Sequence, residues 1–275
     1  MKKIKLLLNV IILLLITSCN GNQKFLKELQ EITQLKPQYD PVPPDVAAKM
    51  ESSFKGKTFL ELDKQKLLNG DEFILEKKEW LEICNFLQSN NKVSVIRLYF
   101  VQFDSNLNSK YASLKPYDGK LYILLGYFDG TGKLINDKYY GMMSVNSGTV
   151  EIIPDDFLIM HENYKKNIKP HINQYCITKN NTEYLSIDVI DFGIQQGVIK
   201  AHDKYENVKF KNLKFKLSEV VDPSSIVITK SKNYYVTKYN NEIGQLTTLT
   251  DAIDTDDKII SGLDNYDLNS LSPPN

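Results

Sequence analysis

The strongest constraint on the fold is a single stretch in which one helical pattern is followed by strand patterns with a tight turn between them. Apolar residues recur at helical spacing from about Glu76 to Gln88. The segment Val93–Phe103 is apolar on both faces, which predicts a central strand. A second predicted strand, 120–128, is joined to a third, from Lys133, by Asp129-Gly130-Thr131-Gly132. The sequence therefore predicts an α+β fold, with N-terminal helices followed by an antiparallel sheet meander.

The rest of the chain gives weaker patterns. Two weak helical patterns come first, around Val46–Phe54 and Leu60–Leu68. Residues 183–199 fit a strand and a helix, so both alternatives remain open. Three further strands are predicted, at 208–217, 225–229 and 234–239. From residue 250 the chain becomes acidic and poor in apolar residues, which predicts a polar tail over 251–275.

Residues 1–18 have the composition of a signal peptide. A basic start is followed by an apolar run, Leu6–Ile16, that is too short to span a bilayer as a permanent helix. The run ends in Ile16-Thr17-Ser18-Cys19, which resembles the lipobox of bacterial lipoproteins. The resemblance implies cleavage before Cys19 and acylation of its thiol, and the acyl chains would anchor the protein in a membrane. The alternatives are an ordinary secretory signal and an N-terminal membrane anchor.

The residues after Cys19 bear on where the protein is held. Asn20 stands where an aspartate usually retains bacterial lipoproteins in the inner membrane, so the resemblance implies the outer membrane, with the domain facing the periplasm. Residues 19–45 are predicted to form a tether, because a short amphipathic helix is followed by a proline-rich spacer. The alternative is that this helix packs on the main domain. That domain is expected over 46–250, and a division into two halves near residue 155 is left open.

The charge balance gives no support to a polyanionic partner. The chain has 34 basic and 34 acidic residues, and removal of residues 1–18, with three lysines and no acid, leaves 31 basic against 34 acidic residues. We therefore expect no nucleic-acid binding. The expected partners are the membrane, through the lipid on Cys19, and an unknown protein or small molecule.

Two cysteines remain once Cys19 carries lipid. Cys84 lies on one helical stripe with Trp80, Ile83 and Leu87, which predicts a buried side chain. In an export compartment Cys84 could form a disulfide with Cys176. The alternative, which the apolar stripe favours, is two buried free thiols.

Arg97 is the sole arginine of the chain and lies inside an apolar strand pattern. A guanidinium keeps its charge when partly buried and offers a fixed fork of donors to a carboxylate or phosphate. Two interpretations follow: a structural ion pair with a carboxylate of the sheet, which we favour, or a contact with a ligand anion in a pocket.

The same strands carry a family resemblance. Val95–Phe100, followed by 119–132, is similar to a pattern in uncharacterised Bacteroidota proteins, in which an "IRxYF" strand precedes a strand ending in a glycine and an Asp-Gly turn. The resemblance implies a lineage and a hairpin fold. It implies no activity.

The sequence supports no catalytic residue, cofactor or metal site. The glycines after residue 125 lack the spacing of a phosphate loop and predict a hairpin turn instead. The aspartates after residue 250 lack the pattern of a calcium loop. The histidines lack the spacing of zinc ligands: His161, His171 and His202. The sequence favours a non-enzymatic binding or accessory protein, and the alternative is an envelope hydrolase whose catalytic residues come from distant parts of the chain.

The lipobox generates the first testable prediction. Cells fed an alkyne fatty acid should incorporate the label into the wild-type chain and not into Cys19→Ala, because the thiol is the acyl acceptor. The measurement is in-gel fluorescence of the purified protein. Equal labelling of the two proteins would show that the cysteine is not lipidated.

Overall fold

The computed structural model describes residues 42–141, 149–222 and 242–264, together with Lys24, Lys27, Glu28 and Glu31 and the backbone of 270–272. The helices in these ranges are α1 (Pro44–Phe54), α2 (Leu60–Lys64), α3 (Lys77–Ser89), α4 (Pro154–Asn163), α5 (Lys169–Asn173) and α6 (Val189–Glu206). The strands are β1 (Glu72–Glu76), β2 (Val95–Gln102), β3 (Leu121–Phe128), β4 (Leu134–Gly141), β5 (Val150–Ile152), β6 (Tyr184–Asp188), β7 (Phe210–Glu219), β8 (Leu246–Asp254) and β9 (Ser270–Ser272). One π-helical turn, Lys55–Phe59, joins α1 to α2, and a second, Tyr164–Ile168, joins α4 to α5.

Within the described residues the strands form two antiparallel sheets. The large sheet has six strands in the order β5-β4-β3-β2-β6-β9, and the small sheet has three in the order β1-β7-β8. The predicted α+β class and antiparallel meander are confirmed. Strands from before and after residue 155 pair in both sheets. The division into two halves that the sequence left open therefore does not describe this fold.

The core lies where the two sheets and the helices meet. Every residue of β3 is buried, as expected for a strand that is covered on both faces. Phe73 of β1 contacts Tyr122 of β3, with 6.2 Å between ring centroids, so the small sheet shares a core with the large one. Trp80 of α3 stacks on Phe192 of α6 at 4.2 Å and therefore joins these two helices across the same core.

Residues 183–199 contain both of the elements that the sequence allowed. β6 ends at Asp188, and α6 begins at Val189. The Asp188 side chain accepts a hydrogen bond from the backbone N–H of Ile190, which caps the helix and sets the boundary. The strands predicted at 225–229 and 234–239 lie outside the described residues.

The polar tail predicted from residue 251 is wrong at its start. β8 extends to Asp254, and Asp251 and Ala252 are buried within it. Asp251 is tolerated there because Lys216 of β7 lies 2.9 Å from its carboxylate, and a paired charge can be buried. Ile260 and Leu263 are also buried, so the domain continues past residue 250.

The tether also ends earlier than predicted. Val42 is buried and α1 begins at Pro44, so the residues just before position 46 already belong to the domain. Proline is favoured in the first turn of a helix because it has no N–H to leave unpaired there. Pro44 thus supplies the start of a helix.

Cys84 and Cys176 are both free thiols, so the disulfide that the sequence left open is not formed. Cys84 is buried on α3, and Cys176 is buried after α5, where its Sγ donates to the carbonyl of Gly244 at 3.2 Å. The two thiols therefore belong to different parts of the core. Burial raises the pKa of each thiol to about 12.

We expect both thiols to resist modification in the native protein, because a buried thiol with a raised pKa supplies almost no thiolate. The lipid-free protein Cys19→Ala, treated with a thiol reagent at neutral pH, should gain no label in mass spectrometry until it is unfolded, and then two. The matched control is Asn85→Cys, an exposed position beside Cys84, which should be labelled at once. Rapid native labelling of Cys84 would contradict the burial of this helix face.

Candidate functional site

Arg97 lies in the middle of the large sheet, on β2. Its backbone partners are Gly126 of β3 on one side and Ser186 of β6 on the other. A Cβ atom at Gly126 would lie 2.9 Å from the ring of Phe128 and 3.1 Å from the ring of Tyr139. The missing side chain at this position therefore lets aromatic rings close in beside Arg97.

Aromatic rings from both neighbouring strands contact the guanidinium. Its Cζ atom lies 4.3 Å from the ring centroid of Phe128 on β3 and 4.9 Å from that of Tyr184 on β6. Such cation–π contacts stabilise a cation by about 0.5–2 kcal/mol each, depending on how far it is desolvated. The flat guanidinium is suited to this position because it is weakly hydrated.

The structural ion pair predicted for Arg97 is absent among the described residues. The guanidinium has no carboxylate within salt-bridge distance in this part of the chain, and Nη1 donates a long hydrogen bond of 3.4 Å to the hydroxyl of Tyr99. The Nε atom is buried without a hydrogen-bond partner. The side chain as a whole is half-buried. Within the described ranges its positive charge is therefore in contact with aromatic rings and has no neutralising carboxylate beside it.

The turn between β3 and β4 lies beside Arg97, but its acid, Asp129, is already bonded within the turn. Gly132, in the turn between β3 and β4, is close enough that a Cβ there would lie 3.7 Å from Nη2 of Arg97. Asp129 of the same turn accepts hydrogen bonds from the backbone N–H groups of Thr131 and Lys133, at 2.9 and 3.0 Å. The Thr131 hydroxyl and these backbone donors lower the pKa of Asp129. The hairpin turn predicted here is thus confirmed, and its acid serves the turn itself.

Tyr99 connects Arg97 to a larger aromatic cluster under α4. Its ring lies 4.9 Å from that of Phe157 on α4 and 5.0 Å from that of Tyr184. Phe157 in turn stacks on Tyr139 of β4 at 3.7 Å. Burial raises the pKa of Tyr99, so its hydroxyl keeps its proton at neutral pH. Because the hydroxyl oxygen accepts from Arg97, that proton remains available for an incoming acceptor.

The three histidines do not come together. His161 lies 3.5 Å from Glu183, and burial lowers the pKa of its imidazole. His171 lies 3.3 Å from Glu61, and His202 bonds Glu206 and the carbonyl of Ser261. Among the described residues, no group of three or more His, Cys, Asp or Glu side chains could hold a metal ion. The aspartates after residue 250 likewise serve the fold, since Asp254 accepts from the backbone N–H groups of Asp256 and Lys258 in a turn.

Two clusters of buried charge were not predicted from the sequence. The Glu183 carboxylate lies 2.5 Å from the ammonium of Lys169, which is itself buried. Glu219 is buried at the end of β7 and accepts hydrogen bonds from the hydroxyls of Ser53 and Thr58. Burial raises the pKa of Glu219. Each of these acids has its partners inside the protein, so both clusters join elements of the fold. Arg97 differs, since no carboxylate of the described residues pairs with it.

No protein-family model matches this chain, and no curated protein or solved structure shows a significant match. Among the described residues, no helix is both long and apolar enough to cross a membrane.

Proposed function

We propose that this chain is a lipoprotein of the bacterial cell envelope, held by Cys19 at the outer membrane on its periplasmic side, and that its domain binds a small anionic ligand at Arg97. The lipobox supports the first part. One observation carries the second: the guanidinium of Arg97 contacts two aromatic rings and has no carboxylate partner among the described residues.

No acid of the described part of the chain pairs with Arg97, and this favours a binding role over a structural one. A charged group that only held the sheet together would be expected to carry its counter-charge within the protein, as Lys169 and Lys216 do. A partly buried cation without one gains most from an anion that arrives from outside. The aromatic rings keep the guanidinium in place while the site is empty.

The geometry also limits the chemistry of the ligand. Rings of Phe128 and Tyr184 cover part of the guanidinium, so an anion has to approach the N–H edge. Two parallel N–H donors match the two oxygens of a carboxylate or two oxygens of a phosphate group. The hydroxyl of Tyr99, 3.4 Å from Nη1, supplies a third donor beside that edge. The ligand class is therefore a carboxylate or phosphate group on a small molecule.

The stability of Arg97 variants tests the first step of this proposal. We expect Arg97→Ala to lose about 1–2 kcal/mol of unfolding free energy, because two cation–π contacts of a half-buried guanidinium contribute about 0.5–1 kcal/mol each. A buried ion pair would instead lose about 3–5 kcal/mol, because a carboxylate would be left unpaired. Urea unfolding of wild type, Arg97→Lys and Arg97→Ala measures the difference. A loss in the larger range would contradict the proposed role.

Anion binding tests the second step. Sodium acetate and sodium phosphate, each compared with sodium chloride at equal ionic strength, should raise the melting temperature of the wild type, because a ligand that binds the native state stabilises it. The rise should be absent in Arg97→Ala and reduced in Arg97→Lys, and comparison of the two salts separates carboxylate from phosphate recognition. Lys133→Ala, which removes an exposed cation from the neighbouring turn, is the matched control and should behave as the wild type. Failure of both anions to stabilise the wild type would overturn the proposal.

A further inference from the structure

The segment between Cys19 and the domain makes a specific contact with α6. Lys24, Lys27, Glu28 and Glu31 are helical. The Glu28 carboxylate accepts hydrogen bonds from the ammonium of Lys204 at 2.8 Å and from the hydroxyl of Tyr205 at 2.7 Å. Both donors lie in the last turn of α6. Of the two alternatives for this helix, packing on the domain is therefore the one that the structure contains.

We call this contact of Glu28 with Lys204 and Tyr205 the latch. Lys204 also lies over the ring of Tyr205, with 4.5 Å between its Nζ atom and the ring centroid, so the two donors are held side by side. The hydrogen bond from Lys204, followed by that from Tyr205, lowers the pKa of Glu28. Glu31, one turn further along, lies 3.7 Å from Lys27 of its own helix and is two-thirds exposed.

We propose that this latch holds the C-terminal end of α6 against the lipid bilayer, so that the domain has one fixed face toward the membrane. The proposal rests on the proposed anchor at Cys19. The nine residues from Cys19 to Glu28 can span at most about 32 Å, so Glu28 stays within that distance of the acylated residue. If only Val42 were attached to the domain, the same chain would allow a separation of about 80 Å. The latch therefore shortens the longest possible distance between the lipid on Cys19 and the domain.

The surface that the latch brings closest to the bilayer is the C-terminal end of α6. Lys200 and Lys204 are exposed there. β7 leads away from this end of α6. Asp203 of α6 pairs with Lys209, just before β7 begins at Phe210, whereas Thr58 bonds Glu219, where β7 ends. At about 3.3 Å per residue β7 spans about 30 Å, so the exposed Lys57, next to Thr58, lies about that far from the end of α6. This difference makes the orientation measurable.

The experiment uses the acylated protein, purified from bacterial membranes and reconstituted in phosphatidylcholine vesicles. A donor dye is placed on Lys200→Cys or on Lys57→Cys, since the native thiols Cys84 and Cys176 are buried and Cys19 carries lipid. The acceptor dye is carried by a lipid headgroup. Energy transfer should be roughly twofold higher from position 200 than from position 57, because the former is held near the bilayer.

Removal of the latch should abolish this difference. In the Glu28→Ala background, transfer from position 200 should fall toward the value at position 57, whereas the matched control Glu31→Ala should leave both values unchanged. Thermal melting of Glu28→Ala should resemble that of the wild type, which separates loss of the latch from loss of the fold. Equal transfer from the two positions in the wild type, or no effect of Glu28→Ala, overturns the proposal.

Flotation of the vesicles distinguishes this failure from failure of the anchor. Protein that floats with the vesicles but shows no preferred face has the lipid and lacks the latch. Protein that does not float lacks the anchor on which the orientation rests, and both proposals at this end of the chain fail. The binding of acetate or phosphate at Arg97 is measured without vesicles and is independent of either result.

Discussion

The pairing of β2 with β3 on one side and β6 on the other is the interaction on which the rest of the structure depends. β2 pairs with β3 from Val95 to Gln102 and with β6 from Val95 to Tyr99. The side-chain period of a strand is two residues, so a shift of one residue in either pairing would move Arg97 to the other face of the sheet. The observed register brings Arg97 between Phe128 and Tyr184.

The candidate site differs from the rest of the core in the partners of its buried cation. Lys216 lies close to Glu51 and Asp251, and Lys169 lies close to Glu183. Burial of these groups is offset by their partners, and each pair joins parts of the chain that are distant in sequence. Arg97 differs because aromatic rings replace the acid. A site of this kind keeps its charge available, which is the property that an anion-binding site needs.

Part of this site could be predicted from the sequence, and the reason lies in composition. Arg97 stands out because the chain otherwise uses lysine for positive charge, and the apolar pattern around it predicts the strand correctly. The turn that carries Gly132 was predictable from its Asp-Gly sequence. Tyr184 could not be found in this way, because only the pairing of β6 with β2 brings it to Arg97. The preference for an ion pair failed for the same reason: the sequence does not show which acids are already used by turns and lysines.

The sequence by itself determined the local elements of this protein: a helix over Lys77–Ser89, the hairpin of β3 and β4, the burial of Cys84 and the lipobox at Cys19. These follow from side-chain periodicity, turn residues and short motifs, which act between residues close in the chain. Only the tertiary structure decided that Asp251 belongs to a buried strand, that Glu28 latches onto α6 and that Arg97 has aromatic rings for partners. Each of these depends on a charge or ring more than 30 residues away in sequence. Such a contact stabilises the protein only in the folded state, where the two partners lie together and away from water.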